Sequence, residues 1–267
     1  MAKITAEERE LYNKKIEPYQ ERIQKSLEKE KSIQELIQKD SSGVAYKKLL
    51  LCDEMIYIST LYMMMNSLAL KILEVKNNDA LNDARKSLYK AIIYLEEIVS
   101  NVVDVPYSEL DDKLAEISNT PLEKRYYQIR KLGLAIRMLT DAFGDNSKWK
   151  WSFVELEGRF AVVAKNMIDM KQAAKDYFDP RSPDYDTTVY CLRLIRKLLD
   201  KSASAYRDRY ELSTRRLDDI RMAINFLLAQ RRLCIATGIV EDADDIRKKA
   251  IVWKDKMEAD HKAGLNK

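Results

Sequence analysis

The chain has 267 residues, 34% of them charged, with only six glycines and five prolines; average usage would bring roughly three times as many glycines, which excludes a fold of many short strands and tight turns. A net charge of +4 is too small to mark a nucleic-acid or membrane binder, because the footprint of such binding is local clustering of cations rather than the total. Three widely spaced cysteines, Cys52, Cys191 and Cys234, make no disulfide framework, and a single histidine, His261, leaves no histidine-rich metal site.

The expected fold class is therefore all-α. Thr5 and Glu8 have the spacing of a capping box, and Leu11, Tyr12, Ile16, Tyr19, Ile23 and Leu27 then recur at helical spacing. This predicts a long first helix with Pro18 inside it, kinked near Ile16 and Glu17. The polar turn Asp40-Ser41-Ser42-Gly43 joins it to Val44–Val75, the one segment apolar around nearly its whole circumference. Such a helix needs neighbours on several sides. Its polar stripe is narrow, Asp53, Thr60, Ser67, Lys71 and Glu74, and the remainder, Leu50 and Met55 among it, reads as core.

Asn77-Asn78-Asp79 re-caps the chain for a third helix carrying Leu81, Ala84, Leu88, Ile92 and Leu95. A short helix is expected from about Ser108 to Ile117, and Asn119-Thr120-Pro121 then opens a helix that carries Leu122, Tyr126, Ile129, Leu132, Ile136, Leu139 and Phe143 and stops at Gly144. After the turn Asp145-Asn146-Ser147, one helix is expected to reach Phe178. Its interior Gly158, like Gly133 before it, predicts close approach of another backbone.

Asp179-Pro180-Arg181-Ser182-Pro183-Asp184 is a loop, and no glycine or proline follows until Gly238. The apolar stripe through Leu192, Ile195, Leu199, Tyr206, Tyr210, Leu217, Ile220, Ile224 and Leu227 predicts one helix from Thr187 to Thr237, of about 50 residues or roughly 75 Å, with a coiled-coil stutter at Tyr206. A last helix begins near Glu241. The whole reads as a single elongated domain over residues 1–267, an antiparallel bundle of coiled-coil hairpins with about seven or eight helices. A candidate sub-bundle boundary lies at 104–121 and a loop at 179–186.

No constellation carries a recognisable chemistry. The glycines are isolated, so no Walker loop or dinucleotide fingerprint exists. Glu258 and His261 have the Glu-x-x-His spacing of di-iron bundles, but that motif is needed twice. Glu241-Asp242-Ala243-Asp244-Asp245 lacks the alternation and glycine of a calcium loop and reads as an acidic helix start. Glu54 is the candidate buried charge, with an ion pair to Lys47 or to an arginine of another helix as its plain explanation.

The candidate partner-binding residues are Trp149 and Trp151, set among lysines, and the basic series Arg193, Arg196, Lys197, Arg207, Arg215 and Arg216. Two tryptophans two positions apart point about 200° apart on a helix, so one is free to face a partner. The arginines either dock an acidic surface or pair with acidic residues of neighbouring helices. No catalytic residue, cofactor or metal is expected. The function expected is a non-enzymatic structural or scaffold protein acting through helical protein–protein interfaces, of the assembly, filament or motility-accessory type, as a homo- or hetero-oligomer. The alternative is a basic helical module for anionic membrane or nucleic acid; an enzyme using buried carboxylates ranks below both. The longest uncharged run, Met55 to Leu70, is shorter than a bilayer span, and the expected location is cytoplasmic.

Overall fold

The computed structural model describes residues 4–144 and 149–265. The described residues form ten α-helices and no strand: α1 (Ala6–Lys39), α2 (Val44–Leu73), α3 (Asn78–Ile98), α4 (Asp111–Ala115), α5 (Leu122–Phe143), α6 (Lys150–Asn166), α7 (Met170–Phe178), α8 (Tyr185–Arg209), α9 (Leu217–Ala236) and α10 (Val240–Lys262). A 3-10 turn, Tyr107–Leu110, precedes α4, and a π turn, Tyr210–Thr214, follows α8. The chain divides into two compact units, residues 1–98 with 128–147, and residues 99–127 with 148–267.

In the first unit, α1 starts on the capping box, Glu8 N donating to Thr5 Oγ1 at 3.1 Å and Thr5 N to Glu8 Oε2 at 2.8 Å. It runs unbroken through Pro18 for 34 residues. Gly43, in the left-handed region at φ 57°, turns the chain into α2, which packs against α1 and α3. Leu51, Cys52, Met55, Ile58, Ser59, Leu61, Met65, Asn66 and Ala69 of α2 are buried, and each fully buried leucine or isoleucine contributes roughly 1.5–3 kcal/mol. The helix ends at Leu73, two residues before the expected Val75, because Glu74 turns left-handed at φ 54°. Asn66 and Asn77 staple this end: Asn77 N donates to Asn66 Oδ1 at 2.9 Å, and Asn77 Nδ2 to the Tyr12 hydroxyl at 2.8 Å. By length and hydropathy α2 would also pass for a membrane-crossing helix; here α1 and α3 cover much of its apolar surface.

The second unit is built on α6, α8, α9 and α10, with α7 packed on α8. Residues 160–168 of α6 and its C-terminus are buried on every side. The core joins Ala161, Val162 and Ile168 to Leu192, Ile195, Leu199 and Tyr206 of α8, Ile220, Phe226 and Leu227 of α9, and Ile246 and Trp253 of α10.

Three expectations are corrected. Ten α-helices replace the seven or eight, partly because the expected helix over 150–178 is two: Asp169 accepts from Lys171 N and Gln172 N and caps the start of α7. The single helix over Thr187–Thr237, with its coiled-coil stutter at Tyr206, is instead the packed hairpin of α8 and α9. The two halves of the apolar stripe bury against each other, Tyr206 against Phe226 with ring centroids 5.6 Å apart. Gly158 meets a side chain, the Tyr206 ring, and not another backbone.

Candidate functional site

Two places stand out against this scaffold. In the first unit, α2 and the 128–143 segment of α5 run parallel, as their cross-links show: Gln128 Nε2 donates to Leu49 O at 2.8 Å and Lys131 pairs with Asp53 at 2.7 Å. Between them lies an apolar groove of about 350 Å³, lined by Ile56, Tyr57 and Thr60 of α2 and Leu134, Ala135 and Met138 of α5, with the Asp53–Lys131 pair beside them. Each helix contributes residues at i, i+3, i+4 and i+7, which is one face. The groove walls are open: Tyr57 is 42% exposed, Leu134 60% and Met138 47%. Leu50 and Met64, seven residues either side of Tyr57, continue the exposed apolar line along α2. The expectation that Leu50 is core is thereby corrected.

In the second unit, Lys165 is buried in the last turn of α6 with 1% of its surface exposed. The described residues give its ammonium no hydrogen bond or ion pair; the ring of Tyr107 lies beside it, 5.5 Å from Nζ to the centroid. Burial holds its pKa down to about 8, with Arg232 pushing the same way and Asp104 pulling against them. Asp104 is committed to Arg232 by two hydrogen bonds, 2.9 and 3.0 Å. Burial pushes the Tyr107 phenol upward, and its hydroxyl is buried with no hydrogen-bond partner among the described residues. Next along α6, Asn166 Nδ2 holds the 100–102 segment through Ser100 O at 2.9 Å and Val102 O at 3.3 Å. This cluster ties the 99–107 segment to α6 and α9.

The sequence-derived candidates are scattered rather than convergent. Trp149 caps α6 and Trp151 lies in its first turn, both half-buried; Lys150 sits over the Trp151 ring at 5.1 Å, and Arg209 Nη1 donates to Trp151 O at 3.3 Å. Ser147, Lys148 and the turn 145–147 lie outside the described residues. Arg193 and Lys197 are exposed near the start of α8. Between them Arg196 pairs with Asp242 at 2.5 Å. Arg207, Arg215 and Arg216 lie at the far end of α8 and beyond. Arg207 binds Glu211 at 2.9 Å and covers Trp253 at 5.2 Å, Arg215 stands 3.8 Å from Asp260, and Arg216 is exposed. Glu54 pairs with Lys29 of α1, while Lys47 turns to Asp40 at 3.3 Å.

Glu30 is a more deeply buried carboxylate, at 4% exposure. It accepts from the Tyr94 hydroxyl at 2.5 Å and pairs with Lys90 at 2.6 Å. Among the described residues no three histidine, cysteine, aspartate or glutamate side chains assemble to hold a metal. The free cysteines are buried, and burial drives the Cys191 thiol up to about 12, so it stays protonated and unreactive at neutral pH.

Reading the sequence for core stripes passed over Leu134, Met138 and Tyr57, and also Lys165. Three of them left a trace there: Leu134 and Met138 are large apolar residues off the core stripe of α5, and Lys165 is a lysine in the apolar run Phe160–Ile168.

No curated protein and no solved structure matches the chain. A family model, the TP0443 family, matches residues 8–261, and the chain belongs to that family.

Proposed function

We propose that the chain is a non-catalytic helical scaffold acting through protein–protein interfaces, and that the α2–α5 groove receives an amphipathic helix of a partner protein. The observation that carries this is the open apolar strip of Tyr57, Leu134 and Met138, extended by Leu50 and Met64. Two parallel helices with an apolar furrow between them match the helix-in-groove mode of recognition, in which anchors at i, i+3, i+4 and i+7 of the ligand helix fill the furrow. The Asp53–Lys131 pair offers polar groups to the rim of such an interface. The reading as a basic module for membrane or nucleic acid draws less support, because Arg196, Arg207 and Arg215 already stand beside Asp242, Glu211 and Asp260.

The test places a photo-reactive amino acid at position 57 in cells that express the chain natively. A discrete protein adduct is expected. It should disappear when Leu134→Glu and Met138→Glu are added, with helix content and melting temperature unchanged. An adduct that survives both charges in the folded variant contradicts the proposal.

A further inference from the structure

The turn between α8 and α9 is made without glycine or proline: none occurs between Pro183 and Gly238. Helical backbone continues through the π turn Tyr210–Thr214, and only two residues then leave it, Arg215 at φ 53°, ψ 22° and Arg216 at φ −82°, ψ 130°. The left-handed region is disfavoured for arginine, which has a Cβ and no short side chain to bond locally. The apolar periodicity, meanwhile, runs on through the turn from Tyr206 and Tyr210 to Leu217 and Ile220. Leu212, in the π turn, is 73% exposed. Sequence and backbone therefore disagree at two residues alone.

We propose that the chain opens at Arg215–Arg216 and exchanges α9–α10 with a second copy of itself. Returning these two residues to right-handed helix joins Tyr185 to Ala236 as one rod of about 78 Å. Opened this way, Ile220, Ala223, Phe226, Leu227 and Leu233 lose their cover from α8, and the identical surface of a second copy restores it, which is how an exchanged dimer keeps its core. Closed, the turn is latched by Asp219, which pairs with Arg209 and accepts from Thr214 Oγ1 at 2.5 Å, and by the Tyr210 hydroxyl on Asp260 at 2.8 Å. On a straight helix Arg209 and Asp219 stand about 15 Å apart, so their pair re-forms only between copies. Leu212, at the opening point, becomes a contact between the two rods.

The experiment uses the full chain with Asp200→Cys and Lys249→Cys, replacing a 3.7 Å pair that links α8 to α10, bridged by a short bis-maleimide linker because side chains that meet only at their tips hold the Cβ atoms too far apart for a disulfide; Arg196→Cys with Asp242→Cys, a pair between the same helices, in a Cys234→Ser background is a second trap should the first fold poorly. Monomer and dimer fractions are separated by size exclusion with light scattering, treated with the linker, and run under denaturing conditions. The expected result is a bridge within one chain in the monomer and between two chains in the dimer. Arg215→Gly, at home in the left-handed turn, should lower the dimer-to-monomer ratio at least tenfold, and Arg215→Ala, which removes the guanidinium from beside Tyr210 and Asp260, should raise it. A folded Arg215→Ala protein that stays monomeric at high micromolar concentration, or a dimer whose bridges all close within single chains, overturns the proposal. Neither outcome bears on the α2–α5 groove.

Discussion

The Tyr206 ring of α8 lies against Gly158 of α6 so closely that a Cβ at position 158 would come within 2.6 Å of Cε2 and 3.2 Å of the hydroxyl. The ring cannot retreat freely, because Phe226 packs beside it and Arg209 covers it at 4.6 Å. Gly158→Ala gains about 1 kcal/mol of helix propensity and meets an overpacking cost of roughly 1–3 kcal/mol. The expected outcome in urea unfolding is a net loss of up to roughly 2 kcal/mol. In the Tyr206→Ala background the same substitution should be neutral or stabilising, a coupling that a double-mutant cycle measures.

Lys165 makes stability depend on alkaline pH. Its folded pKa, about 8, lies below the ordinary 10.5, so the unfolded chain binds the proton more tightly. Its contribution is flat below about pH 8, rises between about 8 and 10.5, and is flat again above. The rise amounts to roughly 3 kcal/mol at about 1.4 kcal/mol per pKa unit. Lys165→Met should be the more stable protein at pH 7 and lack the rise. The difference between the two proteins is the quantity to follow in denaturant titrations from pH 7 to 11, since the raised thiols of Cys52, Cys191 and Cys234 act with the opposite sign above about pH 9.

Tyr94 and Glu30 form the polar knot between α1 and α3, joined by Gln34 Nε2, which donates to the Tyr94 hydroxyl at 2.6 Å. Tyr94→Phe removes the donor to a buried carboxylate and the acceptor for Gln34. A loss of roughly 1–3 kcal/mol is expected, the range for a hydrogen bond to a buried charge, read from the midpoint of chemical unfolding.

Glu54 should behave differently. Its partner Lys29 has a side chain 57% exposed, so the pair is screened by solvent. Glu54→Gln should change stability by less than about 1 kcal/mol, and high salt should shrink the difference further.

Much of this architecture could be read from residue order. The Thr5–Glu8 box, the Asp40–Gly43 turn, the Asn119-Thr120-Pro121 start and the Gly144 stop mark helix ends at or near the observed ones, because capping and glycine chemistry act locally. The α8–α9 reversal left no such mark. Its turn rests on Asp219 reaching Arg209 and Thr214 and on core burial by both helices, which are tertiary terms that periodicity does not register. The Asp169 cap of α7 was visible as a residue type but was hidden by the apolar run on either side. Glu30 and Lys165 were overlooked for the same reason: charged residue types suggest solvent, and only packing reveals that Tyr94 and Tyr107 enclose them. The groove was half legible, since Leu134 and Met138 depart from the α5 stripe, yet only the parallel placement of α5 beside α2 turns two stray residues into a furrow.

The proposed function rests on the α2–α5 groove, and the most direct measurement is the identity of what fills it. Photo-reactive residues at positions 134 and 138, with position 25 on exposed α1 surface as the control, are crosslinked in native cells, and the attached peptides are sequenced by mass spectrometry. Adducts are expected from 134 and 138 alone, mapping to one helical segment with apolar residues at i, i+3, i+4 and i+7. Adducts that form equally from position 25, or that map to extended or loop segments, would contradict the proposed function.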